Sequence, residues 1–126
     1  MKKTINTKNA PQAIGPYSQA ILFEKTLFIS GQIPMNPETG ELVSGGVGEE
    51  AHQVMKNLKA ILEEAGSSFS KAIKTSIFLK NMDDFALVND IYASYFEEGN
   101  YPARETVQVS KLPKDVNVEI SMIAHL

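Results

Sequence analysis

Two runs and the turn between them decide the fold: Arg104-Glu105-Thr106-Val107-Gln108-Val109-Ser110-Lys111, then Leu112-Pro113-Lys114-Asp115, then Val116-Asn117-Val118-Glu119-Ile120-Ser121-Met122-Ile123-Ala124. Each run alternates in polarity with a period of two, the pattern of a strand with one buried face. In the first, Val107 and Val109 share one side, and Arg104, Thr106, Gln108 and Ser110 share the other. In the second, Val116, Val118, Ile120 and Met122 oppose Asn117, Glu119 and Ser121. If both apolar sides meet one layer of helices, Arg104 and Glu119 project together from the helix-free side, a few ångströms apart. Thr106, Gln108, Ser110, Asn117 and Ser121 then make that side polar but barely charged. Such a surface suits a subunit contact better than a solvated sheet. The alternation therefore predicts an oligomer that packs its sheets near one another.

Upstream of this hairpin, Ala51, Val54, Met55, Leu58, Ile61, Leu62 and Ala65 fall on one helical face, and Gly66 follows as a stop. Ala72 to Lys80 reads as a strand. Asn81-Met82-Asp83-Asp84 supplies helix-start chemistry for a second helix carrying Phe85, Val88, Ile91, Tyr92, Tyr95 and Phe96, closed by Gly99-Asn100 and Pro102. Ser18 to Phe23 and Thr26 to Ser30 read as a hairpin, preceded by the turn Gly15-Pro16-Tyr17. The loop Gly31 to Gly40 follows it, rich in Gly and Pro. The predicted fold class is α+β: a two-layer sandwich of order ββαβαββ, with two helices on one face of the sheet. An extra short strand is expected at Lys3–Asn6, and residues 1–126 are read as a single domain.

The chain has 126 residues, 43% of them hydrophobic and 21% charged, enough for a packed core. It has no cysteine, which excludes disulfides, thiol nucleophiles and thiolate metal sites. A net charge of −3 argues against nucleic acid as a partner. No run approaches the roughly 20 apolar residues of a membrane span. The basic start Met1 to Asn6 leads into no apolar segment, so the expected location is cytoplasmic. His52 and His125 are far apart and lack carboxylates at metal-binding spacing, so no metal is expected. Gly45-Gly46-Val47-Gly48 lacks a following Gly-Lys-Ser/Thr and reads as an ordinary loop.

Of the 12 basic residues, Arg104 alone is arginine. Its planar fork does what lysine cannot. Paired with Glu119 it is either a structural ion pair or a small anion site. In the second case Arg104 grips a carboxylate in bidentate fashion and Glu119 acts on a proton or a water. Beside a cation, Glu119 is expected to stay ionised and to be a weak base that still orients water.

Several blocks together resemble the reactive intermediate deaminase family (RidA/YjgF). They include Pro102-Ala103-Arg104, Ser110-Lys111-Leu112-Pro113-Lys114-Asp115 and Val118-Glu119-Ile120. Ile14-Gly15-Pro16-Tyr17-Ser18-Gln19-Ala20, Ser30-Gly31-Gln32-Ile33-Pro34, Asn57-Leu58-Lys59-Ala60-Ile61-Leu62 and Asp84-Phe85-Ala86-Leu87-Val88-Asn89 carry the likeness nearly end to end. The resemblance implies a chorismate-mutase-like subunit in a homotrimer with sites in the clefts between neighbours. It implies hydrolysis of enamines and imines of the 2-aminoacrylate and 2-iminopropionate class to 2-keto acids and ammonia, with no cofactor and no metal. It casts Arg104 as the carboxylate-binding residue and Glu119 as the residue that positions the attacking water. Tyr17, Ser30, Gly31 and Asn89 match positions of the same cleft. Thr106 stands where many members have cysteine, whose backbone carbonyl is the proposed contact. Glu105 departs from the small residue usual after the arginine. Strand alternation points it away from Arg104, whereas a reversal at the strand's first residue would set it against the guanidinium.

Three functions remain open on the sequence: an imine deaminase, a non-catalytic trimeric sensor of small carboxylates that regulates a partner, and a ribonuclease or translation inhibitor. The negative charge and the lack of paired histidines weigh against the last.

Overall fold

The computed structural model describes residues 1–126. The elements are β1 (Lys2–Ile5), β2 (Ala20–Phe23), β3 (Thr26–Gln32), α1 (Val47–Glu64), β4 (Ala72–Leu79), α2 (Phe85–Ala93), β5 (Ala103–Gln108) and β6 (Val118–His125). They form one six-stranded sheet in the order β1-β2-β3-β6-β4-β5. β5 runs parallel to β4, and all other neighbours are antiparallel.

The helices form where the apolar spacing places them. α1 buries Val54, Leu58, Ile61 and Leu62 against Leu27, Ile120 and Met122 of the sheet, in one core with Val88 and Tyr92 of α2. Each such side chain removed from water contributes about 1.5–3 kcal/mol. α1 stops as expected at Gly66, whose φ of +81° suits glycine. The Ser67 N–H donates to the Leu62 carbonyl at 2.8 Å and the Gly66 N–H to the Glu63 carbonyl at 3.0 Å, a Schellman closure. α2 is entered through a 3-10 turn, Met82–Asp84, capped by Asn81, whose side chain accepts from the Asp83 N–H at 2.9 Å. It ends earlier than its apolar spacing predicts. The Tyr95 and Phe96 N–H groups bond back only three residues, to the carbonyls of Tyr92 and Ala93, so a tightened turn still packs their rings. The N-terminal strand, expected at Lys3–Asn6, forms one residue earlier and pairs with β2.

The central expectation from alternation fails for one of the two strands. In β6, Val118, Ile120, Met122 and Ala124 are buried under the helices and Glu119 points to the helix-free side, as predicted. In β5 the sense is reversed. Arg104, Thr106 and Gln108 are in register with Thr75, Ile77 and Leu79, the buried side of β4. Glu105 and Val107 are in register with Ser76 and Phe78, the side of Glu119. Period two divides a strand's side chains into two sets but does not say which set meets the helices. β5 is an edge strand whose helix side is flanked by α2 without being fully covered, so it accommodates the polar set there. The helix-free face is correspondingly less polar than expected: Phe28, Phe78, Val107 and Ile123 lie on it with Ser76, Ser121 and Glu119. Asn117 is also drawn off that face, to Glu50 at the start of α1.

Candidate active site

Arg104 stands at the sheet edge beside α2. Residues 85, 89 and 92 of that helix fall on one stripe, and all three hold the guanidinium. One terminal nitrogen donates to Asn89 Oδ1 at 2.7 Å. The guanidinium carbon lies 5.2 Å from the Tyr92 ring centroid and 5.6 Å from that of Phe85. Tyr92 is in turn fixed from below, its hydroxyl 2.7 Å from Thr75 Oγ1 in β4. Burial pushes the Tyr92 phenol above its ordinary value, against the opposing pulls of the Thr75 bond and Arg104, so it remains a neutral hydrogen-bonding group. The guanidinium faces a cleft of about 500 Å³ lined by Asn89, Tyr92, Tyr101 and Pro102. Its other donors make no bond within the chain, an arrangement that can receive a planar carboxylate.

Glu119 occupies a different cleft, also about 500 Å³, with Tyr17, Ile14, Gly31, Ile33 and Lys114 on its walls. The β3–β6 register is irregular between Ile29 and Gln32, and there the Gly31 backbone lies against the carboxylate. A Cβ at Gly31 would stand 2.5 Å from Glu119 Oε2 and 2.8 Å from its carboxyl carbon, so the approach requires glycine. Glu119 makes no ion pair within the chain. Its pKa is therefore raised, not held down by a cation as the sequence suggested: burial disfavours the charged form. The two groups do not meet inside one chain. They lie on opposite faces of the sheet, with β4 between their strands.

The remaining candidates divide between the two clefts. Asn89 belongs with Arg104, while Tyr17 and Gly31 belong with Glu119. Ser30 donates its hydroxyl to the Ser18 carbonyl at 2.6 Å and so braces the β2–β3 hairpin. Thr106 lies two residues beyond Arg104 on the same side, its Oγ1 buried without a partner. Glu105 does not turn back on Arg104. It pairs with Lys74 Nζ at 3.0 Å and accepts from Ser76 on the helix-free face, contacts that lower its pKa, the Ser76 bond foremost. Neither strand alternation nor the family resemblance marks Phe85, Thr75 or Tyr92 as site residues, although all three support Arg104. The spacing of 85, 89 and 92 was the available signal. No three His, Cys, Asp or Glu side chains converge as metal ligands.

The class of protein is a two-layer α+β sandwich with a bare arginine fork at one cleft and a half-buried glutamate at another. Comparison with known proteins makes the class specific. Residues 7–126 match the family model described as Endoribonuclease L-PSP. A RutC family protein of Pyrococcus horikoshii is 54% identical over 99% of this chain and 98% of its own. The 2-iminobutanoate/2-iminopropanoate deaminase of Homo sapiens is 50% identical over 98% of this chain and 90% of its own. A crystal structure of YyfA from Yersinia pestis, described as a protein of unknown function of the conserved Rid family, superposes with a TM-score of 0.97 at 52% identity, covering 100% of both chains. The chain belongs to the RidA/YjgF family of reactive intermediate deaminases.

Proposed function

We propose that this protein is a cytoplasmic homotrimer that hydrolyses imines bearing an α-carboxylate, such as 2-iminopropionate, and the enamines that tautomerise to them, such as 2-aminoacrylate, to 2-keto acids and ammonia. The observation that carries this reading is the Arg104 fork, held by Asn89, Phe85 and Tyr92 with its remaining donors facing an open cleft. In the trimer the Arg104 cleft of one copy closes over the Glu119 cleft of the next. Arg104 grips the substrate carboxylate and orients the imine. A water held by Glu119 adds its oxygen to the iminium carbon and gives its proton to the carboxylate. The C–N bond of the resulting carbinolamine then breaks as the carboxyl returns its proton to the leaving nitrogen, and the hydroxyl gives up its own proton to the freed carboxylate, releasing ammonia and leaving the oxygen as the keto group. No cofactor is required, because the iminium carbon is already electrophilic. The name of the closely similar human protein supports this chemistry.

The test is turnover of 2-iminopropionate released from L-alanine by an amino-acid oxidase. Arg104→Ala is expected to fall to the rate of buffer alone. Arg104→Lys keeps the charge without the fork, and its kcat/KM is expected to drop about 10- to 100-fold. Near wild-type rates in Arg104→Ala overturn the reading. A wild-type protein that binds pyruvate but accelerates nothing favours the carboxylate sensor instead.

A further inference from the structure

Glu50 is the one buried carboxylate of the protein, 8% exposed, in the first turn of α1. Both its oxygens are spent on a single residue. Oε1 accepts the backbone N–H of Asn117 at 2.9 Å, and Oε2 accepts the Asn117 side-chain amide. Asn117 is held from another direction as well, its carbonyl accepting the Lys80 N–H at 3.0 Å. It immediately precedes β6 and lies two residues before Glu119, but its side chain turns to Glu50 at the start of α1 while Glu119 faces the helix-free side.

Glu119 pairs with Phe78 of β4, but on its other side the β3 ladder ends at the Gln32–Ile120 pair, one residue short of it. The irregular stretch between Ile29 and Gln32 brings Gly31 against the carboxylate, with no space for even a Cβ between them. The side chain of Glu119 is thus confined by Gly31, while its backbone has no β3 ladder partner and takes its position from β4 and from the start of β6. We propose that Glu50 is a positioning residue for Glu119, anchoring the first residue of the β6 segment through Asn117 in place of the missing β3 ladder bonds. The inference rests on the reading of Glu119 as the residue that orients water.

Three variants test it. Glu50→Ala removes both acceptors. Asn117→Ala is milder, removing the side-chain bond and keeping the backbone one. Glu50→Gln is the conservative control: its carbonyl keeps the backbone bond, and its amide donates to the Asn117 side-chain oxygen once that amide turns over. Glu50→Ala is expected to lower kcat about tenfold with KM changed less than about twofold, a placement defect and not a binding one. The titration midpoint of Glu119, followed by carbon NMR on labelled glutamate and assigned with Glu119→Gln, is expected to move in the same variant. Glu50→Gln is expected to keep kcat within about twofold of wild type and to leave the midpoint in place. A loss of melting temperature with kcat and titration unmoved overturns the proposal, as does Glu50→Gln no better than Glu50→Ala. If Glu50→Ala does not fold, Asn117→Ala and Glu50→Gln carry the same comparison. If the wild type hydrolyses no imine, the functional reading fails, and the Glu119 titration alone decides whether Glu50 positions it.

Discussion

At the scale of residues, two charged groups are prepared in opposite ways. Arg104 is exposed yet fixed, because Asn89 binds one nitrogen and two rings flank its plane. Each cation–π contact at an exposed site contributes about 0.5–1 kcal/mol, enough to bias a side chain with many rotamers. Glu119 is fixed by the absence of space at Gly31 and is partly desolvated. Desolvation makes it a better proton acceptor and a liability to the fold. Its folded-state pKa is raised, so the folded state holds the proton to higher pH than the unfolded chain does. The stability tied to its protonation is complete below the ordinary glutamate value of 4.5 and is lost as pH rises through the raised value. Glu119→Gln is therefore expected to raise the melting temperature at neutral pH, with the gain shrinking toward zero as the pH falls below 4.5. Calorimetry in an Arg104→Ala background checks this without compensation from a neighbouring guanidinium.

At the scale of elements, the Glu119 cleft is made by loops tied down at single points. Asn57 of α1, 1% exposed, donates to the carbonyls of Ile33 and Met35 at 3.1 and 3.0 Å and accepts from Gln53 at 2.9 Å. It fastens the wall that follows β3 to the helix beneath. Asn57→Ala leaves those carbonyls short of donors. It is expected to cost about 1–3 kcal/mol in urea unfolding, with the unfolding slope unchanged. Gln19 does the same for the opposite wall, donating to the Pro11 carbonyl at 2.8 Å and the Thr7 carbonyl at 3.0 Å. The turn before β6 places Lys114 and Asp115 at φ of +54° and +57°, and the Asp115 pair with Lys80 at 3.1 Å helps to hold it.

At the scale of the whole molecule, one chain holds Arg104 and Glu119 in separate clefts on opposite faces of its sheet. The helix-free face leaves Phe28 45% exposed and Val107 41% exposed, apolar surface suited to a second copy. Under the proposed trimer, each site takes Arg104 from one copy and Glu119 from another. Arg104→Ala and Glu119→Gln proteins, each inactive alone, are then expected to regain activity once their subunits exchange. An equal mixture should reach about a quarter of wild-type turnover, the share of interfaces that pair two intact halves. A mixture that stays inactive after exchange, verified by mass spectrometry, would place both groups in one chain's site and exclude the shared cleft.

The sequence by itself determined the elements and the core. The apolar positions of α1, the glycine after it and the alternation of β6 each dictate a local conformation that the structure adopts. It also marked Arg104, because a lone arginine among lysines is visible without coordinates. The facing of β5 was decided only by tertiary structure. Alternation is symmetric between the two sides of a strand, and only the placement of α2 beside an edge strand sent Arg104 to the helix side and Glu105 to the other. The same holds for the acidity of Glu119 and for the Glu50 anchor. Burial and a contact spanning 67 positions of chain arise from packing, which no local pattern encodes.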